Sequence, residues 1–336
     1  MNRIKRRTYY WDNLKGLLIL FVVLGHLCEV YIETSRTMES IWVILYSFHM
    51  PLFIFINGYF AEKSKSPVEN KIIKMFGIYL LMQILFKIGS VLLLKKSFNW
   101  EFLADPAYCC WYLIFLVYAY IAYKFIENKN TITWLICSFA ASLLVGFDES
   151  VGHLYGIGRT FYFLPYFILG VIYAKQKERI KGNAKRLKYY FILFVMLIVV
   201  FCLGNAKWFN RKTFAGHKSY FDLYHENPLI GLAMKLVAYA IAIFIGYCIL
   251  KITSEEKTIF AFFGRHTLII YLTHIWIFKN VFGLVENLEF VDSVLINHLL
   301  ILAILLLIEI ICCIIVTYLH SYLIKYRGLK ANTIGK

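Results

Sequence analysis

His26 stands at the end of an apolar run, GLLILFVVLG, eleven residues after Lys15. An imidazole, with an ordinary pKa of ~6.5, is suited to take up and return a proton at neutral pH. At about 100° per residue, an eleven-residue step returns to within about 20° of its start and rises roughly 16 Å. Asp12, Lys15, His26, Glu29 and Glu33 are therefore expected on one stripe of a helix whose other faces are Leu, Ile, Val and Phe. Ionisable groups at membrane depth are costly and mark function by default. The chemistry this stripe offers is general-base catalysis. His26 takes a proton from a hydroxyl, and Glu29, one turn on, fixes the tautomer and stabilises the imidazolium.

Other polar residues punctuate the chain. Ser47-Phe48-His49-Met50-Pro51-Leu52-Phe53 precedes Ile56-Asn57-Gly58-Tyr59-Phe60. Pro51 removes a backbone donor and is expected to kink or loosen its helix. His49 is expected at the same membrane depth as His26. Lys71 and Lys74 are two cations one helical turn apart. Further along come Trp111-Tyr112-Leu113, then Gly158-Arg159 leading to Pro165 and Gly170, then Gly264-Arg265-His266 leading to Tyr271 and His274. Each has a structural alternative. A histidine inside a span can serve only to bond a neighbouring helix, and Lys71 and Lys74 can be topogenic. Arg159 can snorkel to the interface or pair with Asp148 or Glu149. Glu309, deep in the last apolar stretch, calls for a partner such as Lys87 or a histidine.

The elements that carry these residues follow from composition. Of 336 residues, 60% are hydrophobic and 17% charged, too apolar for a soluble chain of this size. Apolar stretches near the ~20 residues that cross a bilayer recur at 14–32, 41–61, 72–94, 109–126, 131–147, 160–175, 188–205, 228–250, 260–284 and 297–324. The expectation is an all-α polytopic membrane protein of about ten helices in one bundle. With the amino terminus inside, the inner segments carry 23 lysines and arginines and the outer ones 8. The positive-inside rule then sets both termini in the cytoplasm. The net charge of +16 is accounted for by these loops beside anionic lipid, without a nucleic-acid partner. The first 32 residues have a basic start and an apolar run but no small-x-small cleavage site, and are read as a retained helix. The eight cysteines show no C-x-x-C pair and no metal-ligand spacing, so no metal is expected.

Taken in order, these segments resemble the membrane-bound acyltransferase-3 family, nearest its fucose 4-O-acetylase-like branch, which O-acetylates bacterial surface polysaccharides. That family shows an arginine, ten residues and a histidine in its first helix, where Lys15 and His26 stand here. Pro51 through Phe60 matches its phenylalanine-rich segment with a Gly-Tyr pair, and Lys71 and Lys74 fall where it has an R-x-x-R pair. All three family arginines are lysines here, point charges in place of planar forks. The resemblance implies one integral-membrane domain over 1–330 with a short cytoplasmic tail, 331–336, in a bacterial plasma membrane. It implies acetyl-CoA as the donor, with its phosphates on Lys15, Lys71 and Lys74, and His26 as the catalytic histidine, to which helix spacing adds Glu29 as its catalytic partner. It also implies an envelope glycan or lipid-linked sugar as the acceptor, met by Trp111, Arg159 and His274, to which His49 is added from its depth level with His26. The alternative is a transporter that uses the same polar stripe to pass a small anionic solute.

Overall fold

The computed structural model of the chain describes residues 8–94, 100–103, 105–151, 154–176, 186–225, 227–285 and part of the stretch 297–322. The helices are α1 (Tyr10–Cys28), α2 (Arg36–Lys63), α3 (Val68–Leu94), α4 (Cys110–Ile126), α5 (Thr131–Val145), α6 (Ile157–Lys175) and α7 (Arg186–Asn205). They continue with the single-turn α8 (Tyr220–Leu223), α9 (Pro228–Ile252), α10 (Phe260–Arg265) and α11 (Thr267–Val285). No strand occurs among the described residues. The chain is an all-α polytopic membrane protein. Among the described residues, six helices, α1, α2, α3, α6, α7 and α9, are long and apolar enough to cross a bilayer. The apolar window of α2 is 72% buried and that of α7 only 11%, so α2 is an interior helix and α7 offers its sides to lipid. The exposed Leu187, Phe191 and Phe194 on α7 form the kind of apolar surface that only a membrane or a partner covers.

Two of the expected spans are shorter, α4 with 17 residues and α5 with 15, and the four residues 127–130 join them. The expected ninth span is not continuous. α10 ends at Arg265, and α11 begins at Thr267. His266 between them leaves helical geometry at φ −117°, ψ 17°. The break is satisfied locally: the His266 amide donates to the Phe263 carbonyl at 3.0 Å and the Thr267 hydroxyl to the Gly264 carbonyl at 3.1 Å. The expected tenth span is described only in part, and Glu309 and the tail 331–336 lie outside the described residues.

The chain forms two compact units, Met1–Leu45 with Ile252–Lys336, and Tyr46–Lys251. In the first, α1 packs along α10. Glycine makes this possible. A Cβ on Gly16 would strike the Phe260 carbonyl, and one on Gly264 would strike the Asp12 carbonyl. Asn13, 4% exposed, pins the start of α1 with all of its amide. Its Nδ2 donates to the carbonyls of Ser254 at 2.9 Å and Glu256 at 2.6 Å, and its Oδ1 accepts from the Thr258 hydroxyl at 2.7 Å. A buried amide so satisfied fixes register as well as contact.

The second unit repeats the device where α2 crosses α6. A Cβ on Gly58 would meet the Phe167 carbonyl, and one on Gly170 the Phe55 carbonyl. Next to this crossing, Asn57 donates to the Phe53 carbonyl at 2.8 Å and to the Tyr112 hydroxyl of α4 at 2.5 Å. Helix α2 stays helical through Pro51. Pro51 lines a cavity of about 430 Å³ with Phe55, Tyr166, Tyr173 and Lys251. Buried Gln83 ties α3 to the connection that follows it, donating to the Phe102 carbonyl at 2.6 Å and accepting from the Ala107 amide at 2.9 Å.

Candidate active site

Helix α1 carries a polar group at each end. At its start, Lys15 Nζ lies 3.3 Å from Asp12 Oδ1, and Asp12 Oδ2 lies 3.9 Å from Arg265 Nε of α10. The Arg265 guanidinium also covers the Tyr9 ring, 5.6 Å from its centroid. Asp12 therefore holds two cations side by side. Arg265 was visible in the Gly-Arg-His segment, but its place beside Lys15 depends on the α1–α10 glycine contact.

At the other end, His26 Nδ1 lies 3.3 Å from Glu29 Oε2. Glu29 is the residue that closes α1, still in right-handed helical geometry at φ −54°, ψ −26°, which keeps it one turn beyond His26. Glu33 does not join the stripe. The helix ends at Cys28 and the chain turns, with amide bonds from Val30 to the Leu27 carbonyl, Tyr31 to Cys28 and Thr34 to Tyr31. Three-residue closures tighten the chain and end the 3.6-residue periodicity on which the stripe depends.

Two further side chains complete this end, both within the first unit. The Trp42 indole nitrogen donates to Glu29 Oε1 at 3.4 Å. The His274 ring of α11 lies 5.2 Å from the His26 ring, centroid to centroid, tilted by 39°. His274 Nδ1 is 3.2 Å from the Ile270 carbonyl. A carbonyl only accepts, so Nδ1 carries the hydrogen and Nε2 the lone pair. That Nε2 is buried and meets no hydrogen-bond partner among the described residues. A buried polar atom left in this state needs an explanation.

The remaining expected residues belong to the second unit. His49 is 2% exposed and meets Tyr46 edge to face at 4.9 Å. Lys71 is half-buried and donates to the Ala61 carbonyl at 3.3 Å, its ammonium 5.8 Å from the centre of the Tyr120 ring. Lys74, a turn further on, is exposed. The carboxylates nearest in sequence are taken: Glu62 accepts from the Tyr123 hydroxyl at 2.9 Å, and Glu69 pairs with Lys124. Lys71 meets no carboxylate among the described residues.

Trp111 stacks on Phe163 at 5.2 Å and carries the Arg159 guanidinium 4.8 Å from its ring centre. Arg159 also donates to the Ala215 carbonyl at 3.4 Å and lies 3.3 Å from His217 Nδ1. Asp148, suggested as its partner, instead accepts from the amide and hydroxyl of Ser150 at 2.8 and 2.6 Å. Those two bonds hold its exposed carboxyl below the usual carboxylate range. His217 enters from the long connection between α7 and α9, which no local pattern places near residue 159. Lys235 was also missed. It donates to the Ser142 carbonyl and lies over the Tyr162 and Tyr220 rings.

An all-helical membrane chain with a histidine–carboxylate pair at the end of its first helix has the architecture expected of a membrane acyltransferase. The family model of the acyltransferase-3 family, described as an acyltransferase domain, matches residues 8–319. The chain belongs to this family and is an acyltransferase. It is similar to the nodulation protein NolL of Sinorhizobium fredii, 25% identical over 300 residues that cover 81% of this chain and 78% of the relative. The nodulation protein NolL of Mesorhizobium japonicum is 24% identical over 221 residues, 60% of this chain and 57% of the relative. No solved structure matches the chain significantly.

Proposed function

We propose that this acyltransferase moves an acetyl group from cytoplasmic acetyl-CoA to a sugar hydroxyl. The sugar belongs to a cell-envelope or capsular polysaccharide or to its lipid-linked precursor. The observation that carries the reading is the His26–Glu29 contact at 3.3 Å, set beside a second imidazole and one helix length from Lys15. His26 donates its Nδ1 hydrogen to Glu29 and keeps the Nε2 lone pair for catalysis. As the sugar oxygen attacks the thioester carbonyl, its proton passes to Nε2. The C–O ester bond forms, the C–S bond breaks, and the same proton leaves Nε2 for the departing thiolate. His26 ends the cycle neutral.

The lysines serve the donor. Lys15, Lys71 and Lys74 hold its phosphates as point charges, and Lys71, with no carboxylate among the described residues, has its charge available. Roughly 16 Å of helix separates Lys15 from His26, a span that a pantetheine arm bridges. His274 offers a lone pair to a hydroxyl of the acceptor, and His49, Trp111 and Arg159 belong to the acceptor side as well. The excess of cations in the inner loops supports cytoplasmic termini. Both relatives come from bacteria, which supports a bacterial plasma membrane. Residues 1–330 act as one domain.

Purified protein given labelled acetyl-CoA, with and without envelope glycans, is expected to label the glycan on oxygen. Label that never leaves acetyl-CoA in the presence of such acceptors would refute the assignment.

A further inference from the structure

Glu29 is badly placed for an orienting carboxylate unless something holds it. It sits at the carboxyl end of α1, where the helix dipole disfavours a negative charge, and its side chain is 41% exposed against 22% for His26. A carboxylate in that position is drawn toward water and away from the imidazole. Trp42 opposes this. Trp42 is 5% exposed, and its indole N–H, which needs an acceptor when buried, points at Glu29 Oε1 from 3.4 Å while Oε2 faces His26 Nδ1 at 3.3 Å. The two oxygens thus bridge an indole and an imidazole.

The connection that brings Trp42 to this point is short and ordered. The Tyr31 carbonyl accepts from the amides of Thr34 and Ser35 at 3.2 and 2.8 Å. The Ser35 hydroxyl accepts from the Met38 amide at 3.4 Å, capping α2. Arg36 and Glu39 then pair at 2.9 Å across the first turn. Trp42 lies two turns into a helix whose start is fixed relative to Glu29.

We propose that Trp42 is a positioning residue for catalysis. Through Glu29 it holds His26 in the tautomer whose Nε2 accepts the acceptor's proton. It touches neither substrate. The inference rests on the assignment of His26 as base. An indole hydrogen bond to a carboxylate of this length steadies one rotamer without adding a charge, so its loss slows turnover and leaves donor affinity unchanged.

The test is Trp42→Phe, which keeps an aromatic ring and removes the N–H. Acetyl transfer is expected to lose roughly 3–10-fold in kcat, the worth of one modest hydrogen bond, with KM for acetyl-CoA and the melting temperature unchanged. In a Glu29→Ala background the same substitution should cost nothing further, because the group it acts through is gone. Should the phenylalanine variant fold poorly, benzothienylalanine at position 42 keeps the bicyclic shape and removes only the donor, and the same loss is expected. Unchanged kcat in a folded variant, or a loss that persists without Glu29, overturns the proposal. His26→Ala distinguishes this from failure of the base itself. If that variant is inactive while the Trp42 variants are normal, only the positioning role falls. If it retains full transfer, the base assignment falls first.

Discussion

Substitution of Gly16 by alanine tests the contact that brings Arg265 to Lys15. The added Cβ would overlap the Phe260 carbonyl of α10. The obstacle is backbone rather than the end of a flexible side chain, so α1 and α10 must separate. Overpacking of this kind costs about 1–3 kcal/mol. Separation also stretches the neighbouring Asn13 bonds to the Ser254 and Glu256 carbonyls, at about 1 kcal/mol for each bond lost. Gly77 is the control, since nothing lies within 4 Å of a Cβ built there. On helix propensity alone, alanine at 77 should gain roughly 0.5–1 kcal/mol. Thermal melting of detergent-solubilised protein, followed by intrinsic fluorescence, reads both. Gly16→Ala should melt several degrees below the wild type, at about 2–4 °C per kcal/mol for a large domain, and Gly77→Ala at or above it. Gly264→Ala, which meets the Asp12 carbonyl from the other side, should resemble Gly16→Ala. Wild-type melting for Gly16→Ala would show that α1 and α10 do not approach as described.

His26→Ala should lower acetyl transfer by roughly 10²–10⁴-fold, the usual worth of a general base, with membrane insertion and abundance near normal. Retained transfer would remove His26 from the chemistry. Glutamine at Lys15, Lys71 or Lys74 should weaken acetyl-CoA binding more than acceptor use, and added salt should do the same, since exposed charge is screened within ~8 Å at physiological ionic strength. Titration of the triple variant with acetyl-CoA checks this, and unchanged affinity would make these lysines topogenic. Asn57→Leu should destabilise the α2–α4 contact by about 1–3 kcal/mol, because the Tyr112 hydroxyl loses a buried partner, and a melting curve that does not move would contradict it.

Relations along a single helix were legible in the residues themselves. The His26–Glu29 pair, the Asp12–Lys15 pair and the shared face of Lys15 and His26 follow from 3.6 residues per turn, and the structure keeps both pairs at 3.3 Å. The all-α membrane class followed from length and hydropathy in the same local way, whereas the count of ten full spans did not carry over to the six long apolar helices among the described residues. Glu33 failed because periodicity ends where the helix ends, and no proline or glycine at 28–34 announced the turn. What only the tertiary structure decided is which helix faces which: Trp42 on Glu29, His274 on His26, Arg265 on Asp12, His217 on Arg159. In a soluble protein an apolar stripe marks the face that will be buried. In a membrane chain lipid and neighbouring helices demand the same apolar surface, so composition does not tell the two kinds of face apart. Partner choice then rests on close backbone approach and on scattered polar contacts. Here that means Gly16 on Phe260, Gly58 on Phe167 and the fully bonded amide of Asn13, whose meaning appears only once the opposing backbone is in place.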